Sequence, residues 1–435
     1  MARPEDPRVV ISGLGMVTPL GVGRAAFWEG VLQGRSAARP VELFDVTGFS
    51  TRFACQVPSS FDPAWFVENR KSLKLMSRAA AFAASAAALA LQDAGLPPRA
   101  EHPDRAGVSM GVGGVGLHDL DYLKTTVEIS AELQGWKPRD GVVATVCRHL
   151  PPLTPLKLLP NITAGHIAIA HQLWGESITV CTACTSATQA IGEALRVLRR
   201  GEMDWMLAGG TDAMINPMGL LGFGMLGVLS TRNEDPGRAS RPFDTQRDGF
   251  VMGEGAVLLV LERAEHARAR GAQVLAELAG YGCASDAYRI TDEPEDGRGS
   301  VAAMRRALAD AGCGPDQVDY VNAHGTSTRM NDLTEARALR TVFGERASRV
   351  PVSSTKSQTG HLVAAAGAVE TAASALALNA QVLPPSINVE EVDPHLGLDV
   401  VANVPRRAQL EVVLKNSFGF GGQNACLVLR RWEAW

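Results

Sequence analysis

Thr179-Val-Cys-Thr-Ala-Cys-Thr-Ser-Ala-Thr188 joins two different sequence patterns. The apolar, β-branched residues at 178–180 predict the end of a buried strand, and the helical periodicity that begins at Ser186 predicts a helix. Cys184 would then lie at a strand-to-helix turn, where backbone N–H groups and the helix dipole lower the pKa of a thiol. This segment therefore predicts an α/β fold and makes Cys184 a candidate nucleophile.

Short apolar stretches alternate with longer amphipathic ones along the rest of the chain. This alternation is typical of an α/β protein with buried sheets. With 435 residues, the chain is long enough for one large unit or two fused halves. We predict strands at 9–13, 107–111, 178–181, 205–208, 256–261, 274–280, 318–322, 350–353, 412–414 and 425–429.

An internal repeat indicates duplication. Asp-Ala-Gly at 93–95 precedes a predicted strand, and the same three residues recur before a strand at 310–312. In each half the next element is again a strand, a turn of small hydroxylic residues and a helix. Asp-Ala-Gly alone is a common helix stop, but two successive elements in the same order favour duplicated halves, 1–265 and 266–435. A site between such halves would draw residues from both.

The composition limits the classes of function. A net charge of −4 argues against a general nucleic-acid binder. No uninterrupted apolar run reaches the ~18 residues of a membrane span, and residues 1–8 show no secretory signal. The 7 cysteines are scattered and odd in number, which favours reduced thiols. We therefore expect a cytoplasmic protein without a nucleic-acid or membrane partner.

Cys181 and Cys184 allow other interpretations. Cys-x-x-Cys can be a zinc motif, but a structural zinc site needs two more ligands, and the sequence has no second Cys pair or close Cys/His cluster. A thioredoxin-like redox motif belongs to a far smaller domain. Two packing cysteines remain as an alternative. The packing interpretation suits Cys181, which strand alternation predicts to point inward, better than it suits Cys184. We expect no metal site.

A cysteine nucleophile needs a partner that the fold brings to it. His324 and His361 both follow predicted strands in turns rich in small hydroxylic residues, and Lys356 lies in the same turn as His361. A lone histidine is more often structural than catalytic, but two at matching strand ends are candidates for a base or an electrostatic partner. Phe418-Gly-Phe-Gly-Gly422 is either a turn that packs two phenylalanines or a backbone whose amide completes an oxyanion hole with that of Cys184.

Five motifs together carry a family resemblance. They lie at 10–21, 239–256, 322–328, 353–361 and 416–422, spread over nearly the whole chain. In this order they resemble the β-ketoacyl-acyl carrier protein synthases of type II, which are thiolase-like condensing enzymes. The resemblance implies an α/β fold in which each subunit is a duplicated, five-layer αβαβα structure. It also implies that two such subunits form a homodimer. It also implies that the substrates arrive on the phosphopantetheine arm of acyl carrier protein and that no other cofactor is needed.

The resemblance implies a catalytic triad of Cys184, His324 and His361. Cys184 would take an acyl chain from acyl carrier protein, and malonyl-acyl carrier protein would then enter. The histidines would assist the loss of CO₂ and stabilise the enolate, whose carbon attacks the acyl thioester to give a 3-oxoacyl product. Charge on an enolate oxygen needs fixed donors in a dry site, and two imidazole N–H groups supply them.

The same resemblance gives roles to further residues. Lys356 would support the histidines and be linked to Glu335. Phe420 would be a gate, and its amide would be the second oxyanion donor. The implied substrate site contains Thr326 and Thr328, which bind the pantetheine arm, Phe418, and Val112, which gates the acyl pocket.

Acyl carrier protein is acidic, so its partner requires a basic face despite the negative total charge. Arg70, Lys71, Lys74 and Arg78 match part of the docking helix of the family. Without the resemblance, a solvated helix face would be the interpretation of these charges.

Three departures from the family pattern leave the pathway open. A stretch at 142–152 is added in a region near the dimer interface and acyl pocket. Arg289 stands where the family has histidine, and Gln423 and Lys415 replace a threonine and a small residue. Fatty-acid elongation is our first hypothesis, and a ketosynthase of a polyketide or polyene pathway is the second. A catalytically silent chain-length partner in a heterodimer is the third, against which the presence of Cys184 argues.

Overall fold

The protein is described here by a computed structural model that covers residues 7–113, 120–132, 146, 148–150 and 152–433. Most of the predicted insertion at 142–152 therefore lies outside the described residues. The strands are β1 (Val9–Thr18), β2 (Gly21–Val22), β3 (Ala38–Pro40), β4 (Phe53–Cys55), β5 (Ala106–Val112), β6 (Ser177–Val180), β7 (Trp205–Asp212), β8 (Gly255–Arg263), β9 (Ala276–Ser285), β10 (Tyr320–Asn322), β11 (Pro351–Ser353), β12 (Val382–Leu383), β13 (Asp399–Val400), β14 (Arg406–Arg407), β15 (Val412–Gly419) and β16 (Gln423–Arg430). The helices are α1 (Arg24–Leu32), α2 (Arg78–Ala94), α3 (Leu120–Glu132), α4 (Thr154–Lys157), α5 (Asn161–His171), α6 (Ser186–Arg199), α7 (Pro217–Met225), α8 (Ala264–Ala269), α9 (Arg298–Ala311), α10 (Arg329–Phe343), α11 (Lys356–Thr359) and α12 (Ala366–Ala380).

The ten predicted strands are all confirmed, although several of their ends move. Long strands such as β1 and β8 are buried along nearly their whole length, which is why an apolar run marked them in the sequence. The strands that sequence patterns missed, β2 among them, span only two or three residues. Segments that short carry no period.

Two sets of five strands repeat the same pairing, which confirms the duplicated fold. The orders are β6-β5-β7-β8-β1 in the first set and β11-β10-β15-β16-β9 in the second. In each set the first three strands are parallel, and the last two join antiparallel. A short antiparallel pairing of β1 with β9 joins the two sets into one sheet.

Helices cover both sheets and fill the space between them. α2 packs on the outer face of the first set, in one apolar cluster with β5, β7 and β8. The central cluster contains α6 and α12, which lie between the two sets. A third cluster contains α9 and α10 on the outer face of the second set. The resulting order of layers, αβαβα, confirms the predicted thiolase-like α/β architecture.

Among the described residues, one stretch has the length and apolarity of a membrane span: the central helix α12 together with the turn that precedes it. It covers Val363–Ala380, and 89% of it is buried inside the protein. A helix enclosed between two sheets is apolar on all sides because every face contacts the core. Its composition is therefore explained by its central position.

The strand before Cys184 differs from its prediction. β6 is the last strand of its sheet within the described part of the chain, and its residues are half-buried or exposed. The strand ends at Val180, and Cys181 is exposed. The predicted inward orientation of Cys181 is therefore wrong, because strand alternation no longer applies to a residue beyond the strand end at a sheet edge.

Candidate active site

Cys184 lies in a tight turn whose geometry is set by small hydroxylic side chains. The hydroxyl of Ser186 accepts the N–H of Thr182 at 2.8 Å and donates to the carbonyl of Ala183 at 2.7 Å. Ala183 has a φ of 49°, a left-handed conformation that costs a non-glycine residue about 1–3 kcal/mol. The turn at Ala183–Thr185 leads directly into α6, so Cys184 lies at the predicted strand-to-helix position.

The second half contains a turn of the same design. Val363 has a φ of 43°, and the turn at Val363–Ala365 leads directly into α12. Ala364 occupies the position that corresponds to Cys184. Backbone strain thus recurs at equivalent points of the two halves, before the two central helices.

Residues from both halves converge on one cavity of 550 Å³. Most of the predicted site residues line it, namely Cys184, His324, His361, Thr326, Thr328, Phe418 and Phe420. Lys356 and Glu335 are buried behind this lining. Val112 does not line the cavity; it packs in the outer apolar cluster of the first half. The residues at 114–119, which follow it, lie outside the described part of the chain.

The two histidines are held in the same tautomer by different partners. The Nζ of Lys356 lies 3.2 Å from Nδ1 of His324, and an ammonium can only donate. The N–H of Val363 donates to Nδ1 of His361 at 3.2 Å. In both rings Nδ1 accepts, so Nε2 carries the proton. The ring centroids are 5.4 Å apart, nearly perpendicular, which places two N–H donors on the lining of one cavity.

Burial and nearby cations keep both imidazoles neutral. Burial, followed by the charge of Lys356, lowers the pKa of His324 well below its ordinary value of 6.5. Burial also lowers the pKa of His361, with Lys356 and Lys415 as the further causes. At neutral pH each ring is therefore an uncharged hydrogen-bond donor, which suits stabilisation of an enolate oxygen.

The predicted link between Lys356 and Glu335 is wrong. Nζ of Lys356 pairs with Glu370 on α12 and donates to the carbonyl of His324 at 2.6 Å. Glu335 instead accepts the backbone N–H groups of His324 at 2.9 Å and Gly325 at 2.8 Å. Glu335 therefore fixes the loop that carries His324, while Lys356 fixes its ring. Sequence spacing could not distinguish the two carboxylates, because both lie on helices beside the site.

The expected low pKa of the Cys184 thiol is also wrong for this structure. Burial raises its pKa to about 12, and this effect outweighs the lowering by Lys356 and by a hydrogen bond from the Phe420 amide. Cys184 is only 5% exposed. A thiolate at this position loses more hydration energy than it gains from the backbone N–H groups and the helix dipole of the turn. Cys184 is therefore a neutral thiol at neutral pH, and any reaction in which its sulfur is the nucleophile has to include loss of the thiol proton.

The glycine-rich strand end brings a second amide to the thiol. The N–H of Phe420 donates to the Cys184 thiol. A Cβ at position 419 would come within 3.3 Å of the Cys184 nitrogen. Gly419 therefore allows the end of β15 to approach the turn that holds Cys184. The Phe420 ring stacks on Phe223 with centroids 6.5 Å apart. The amides of Cys184 and Phe420 therefore lie together beside the thiol, as an oxyanion hole requires.

Three buried charged residues near the site lie outside the predicted catalytic and substrate-binding residues. Glu370 pairs with Lys356, and Lys415 contacts the same carboxylate. Asp212, at the end of β7, accepts the N–H of Ala364 at 3.0 Å, and burial raises its pKa to about 7. Each lies in a helix or strand that is otherwise mostly apolar. A charged residue in such a segment is the sequence signal that could have identified a buried functional group.

The predicted docking residues lie at the surface. Arg70, Lys71 and Lys74 are exposed on a short 3₁₀ helix of 6 residues, Arg70–Leu75. Arg78 differs from them, because it makes a two-pronged ion pair with the fully buried Glu254 at 2.6 and 2.8 Å. We therefore remove Arg78 from the docking set.

Within the residues that the structure describes, no group of three His, Cys, Asp or Glu side chains could hold a metal ion.

Comparisons with known proteins agree with this geometry. The family described as Beta-ketoacyl synthase, N-terminal domain, matches residues 6–267, and the corresponding C-terminal domain matches 275–390. The 3-oxoacyl-[acyl-carrier-protein] synthase 2 of Coxiella burnetii is 40% identical over 98% of this chain and 99% of its own length.

Solved structures show the same fold along the chain. The ishigamide ketosynthase/chain length factor superposes with a TM-score of 0.88 and 33% identity, covering 98% of this chain and 100% of that one. A type II polyketide ketosynthase, solved with its acyl carrier protein and bound to the hexaketide, has a TM-score of 0.86 and 34% identity, with the same coverage. This chain therefore belongs to the β-ketoacyl synthase family and is a condensing acyltransferase with the thiolase-like fold.

Proposed function

We propose that this chain is a 3-oxoacyl-[acyl carrier protein] synthase of fatty-acid elongation in which Cys184 carries the acyl chain. One observation supports the assignment above all. Cys184 and two neutral histidines, each with Nε2–H as the donor, line the same cavity. Full-length similarity to synthases of this name supports the same conclusion.

In the first half-reaction, the sulfur of Cys184 attacks the thioester of an acyl-acyl carrier protein. A carbon–sulfur bond forms to Cys184, the bond to the pantetheine sulfur breaks, and the thiol proton goes to the departing sulfur. The negative charge that develops on the thioester oxygen is stabilised by the amides of Cys184 and Phe420. Thr326 and Thr328, whose hydroxyls lie 2.9 Å apart in the cavity, would hold the pantetheine arm, and Phe418 would line its path.

In the second half-reaction, malonyl-acyl carrier protein loses CO₂. The carbon–carbon bond breaks, and its electrons form an enolate whose oxygen accepts hydrogen bonds from His324 and His361. The enolate carbon then attacks the carbonyl of acyl-Cys184, the bond between that carbonyl and the sulfur breaks, and the Cys184 thiolate takes up a proton from water. The product is a 3-oxoacyl chain on acyl carrier protein. No cofactor besides the phosphopantetheine arm takes part.

Arg70, Lys71 and Lys74 would form the contact for the acidic carrier protein. Reversal of all three charges to glutamate should raise KM for the carrier-bound substrate at least ~10-fold with little change in kcat, because docking charges act mainly on encounter. The measurement is condensation at increasing carrier-protein concentration and at two ionic strengths. Arg431→Glu, another exposed arginine, is the matched control. An equal rise of KM in the control, or none in the triple variant, would count against this face.

We propose that the chain forms a homodimer through the outer edge of β6, which has no strand partner among the described residues. The exposed side chains Trp174 and Ile169 precede this strand and are 73% and 80% exposed, and exposed apolar groups beside a sheet edge are typical of an interface. Sedimentation of the purified chain should give twice its mass of 46.1 kDa. A monomer that becomes active only with a second type of subunit would instead indicate a heterodimer.

Three further proposals follow from the sequence. The chain divides into halves 1–265 and 266–435, the first with the nucleophile and the second with both histidines and Lys356. The protein acts in the cytoplasm, where acyl carrier protein is available. Val112, which lies outside the lining of the cavity that holds Cys184, is proposed from the resemblance alone to gate an acyl pocket at the end of β5.

A ketosynthase of a polyketide or polyene pathway is the alternative function. The likeness to the ishigamide and hexaketide-bound ketosynthases favours it. Intact-mass measurement of Cys184 acylation, with carrier proteins that bear saturated or polyenoyl chains from short to long, separates the two. Preference for saturated chains supports elongation of fatty acids, whereas preference for polyenoyl or polyketide chains supports the alternative. Absence of any acylation would support a chain-length partner without catalysis.

A further inference from the structure

Lys415 is a buried cation that the reaction as described does not use. It lies on β15 and is completely buried. Its Nζ donates to Oγ1 of Thr188 at 2.5 Å and to the hydroxyl of Ser417, and it lies 3.1 Å from Oε2 of Glu370. A buried ammonium is costly unless it is paired and hydrogen-bonded. The surroundings of Lys415 meet both conditions: burial lowers the pKa of its ammonium, and the carboxylate of Glu370 opposes that lowering.

Lys415 shares its carboxylate with Lys356. Lys356 contacts Oε1 of Glu370, and Lys415 contacts Oε2. Two cations on one buried carboxylate leave a net charge of about +1 beside the imidazoles if all three groups are ionised. Both lysines contribute to the lowered pKa of His324 and of His361, after burial. The charge of Lys415 thus acts in the direction that keeps the histidines neutral.

The hydrogen bonds of Lys415 also join two elements that carry reacting groups. Thr188 lies in the first turn of α6, which directly follows the tight turn that holds Cys184. Ser417 precedes Phe418 on the strand that ends at the Phe420 gate, and its hydroxyl lies 2.8 Å from that of Thr188. One ammonium therefore bridges the nucleophile helix and the gate strand.

The packing around this ammonium leaves little freedom. On α12, a Cβ added at Gly367 would lie 2.2 Å from Oγ1 of Thr188 and 3.1 Å from Nζ of Lys415. The glycine therefore lets α12 approach the bridge closely. The charged or titratable groups that face Lys415 are Glu370 on α12, Lys356 on α11 and Cys426 on β16.

We propose that Lys415 is a positioning residue for the condensation. It acts through Glu370 on the charge environment of the two histidines, and through Thr188 and Ser417 on the placement of Cys184 against the Phe420 amide. This inference rests on the proposed function of the Cys184 site. It concerns a residue that stands where the resembling family has a small side chain.

Lys415→Met tests the role of the charge, because methionine keeps the length and removes the ammonium while Glu370 keeps Lys356 as its partner. We expect kcat for condensation to fall ~10-fold, and the acid limb of the pH profile for CO₂ release from malonyl-acyl carrier protein to move upward by about one unit. The direction follows because a histidine that loses a cationic neighbour protonates at higher pH. Loss of activity with an unmoved acid limb would indicate a merely structural residue and overturn the proposal.

Thr188→Val tests the bridge and keeps the ammonium. We expect slower acylation of Cys184 in single-turnover mass measurements, by ~10-fold, with the acid limb unchanged. If Lys415→Met does not fold, an unchanged acylation rate in Thr188→Val is enough to reject the bridge. Measurements on the wild-type protein distinguish a failure of the proposed function from a failure of the role of Lys415. If it neither acylates Cys184 nor releases CO₂, the proposed function fails; if it does both and the variants match it, only the role of Lys415 fails.

Discussion

Replacement of Cys184 by alanine is expected to abolish condensation while leaving the release of CO₂ from malonyl-acyl carrier protein. Removal of a nucleophile costs ~10⁴-fold or more in rate. The two histidines keep their donors, because their tautomers depend on Lys356 and on the amide of Val363 rather than on the thiol. The enolate can therefore still form, but it has no acyl-enzyme to attack.

Two measurements on the same sample check this expectation. Intact mass should show an acyl adduct on the wild-type protein and none on Cys184→Ala, and labelled CO₂ should be released by both. Cys181→Ala is the matched control, since Cys181 is exposed and outside the cavity lining, and it should acylate like wild type. Undiminished 3-oxoacyl formation by Cys184→Ala would reject Cys184 as the nucleophile.

Replacement of His324 or His361 by alanine is expected to lower the rate of CO₂ release by ~10²–10³-fold each, the cost of one donor to an oxyanion. The sign of the pH dependence follows from the lowered pKa values. Because the neutral rings are the active form, wild-type release should persist below pH 6.5, the ordinary pKa of histidine, and decline only when the rings protonate.

The checks for the histidines use CO₂ release rather than product, so that the acylation step does not interfere. A glutamine at either position restores an N–H donor without a titrating ring, and its variant should lose less activity than alanine and show a flatter acid limb. Acylation of Cys184 in the same variants reports whether the cavity is intact. Unchanged CO₂ release in both alanine variants would refute the roles of the histidines.

Much of the fold follows from the sequence for a simple physical reason. Strands such as β8 and helices such as α6 are long enough to show the period of their secondary structure. The repeated Asp-Ala-Gly stops, at 93–95 and 310–312, revealed the duplication because each ends a helix that packs on its own sheet. These are local patterns that the two halves share.

The errors concern interactions that no local pattern contains. Whether Lys356 contacts Glu335 or Glu370 depends on how α10 and α12 pack, and both carboxylates are buried. The pKa of Cys184 depends on its burial by residues from both halves, which outweighs the effect of its own turn. The orientation of Cys181 depends on where β6 ends at the sheet edge. Each needs the assembled core.

The matching left-handed residues Ala183 and Val363 place the same backbone turn in two different surroundings. Both halves contain a strained turn before a central helix, but only one of the two turns holds a thiol. In the other, the N–H of Ala364 donates to Asp212. The backbone amide at this position of the second half therefore contacts the first half. One backbone turn therefore has two uses in the same chain: in the first half it holds the thiol, and in the second half it fixes the end of β7 against the start of α12.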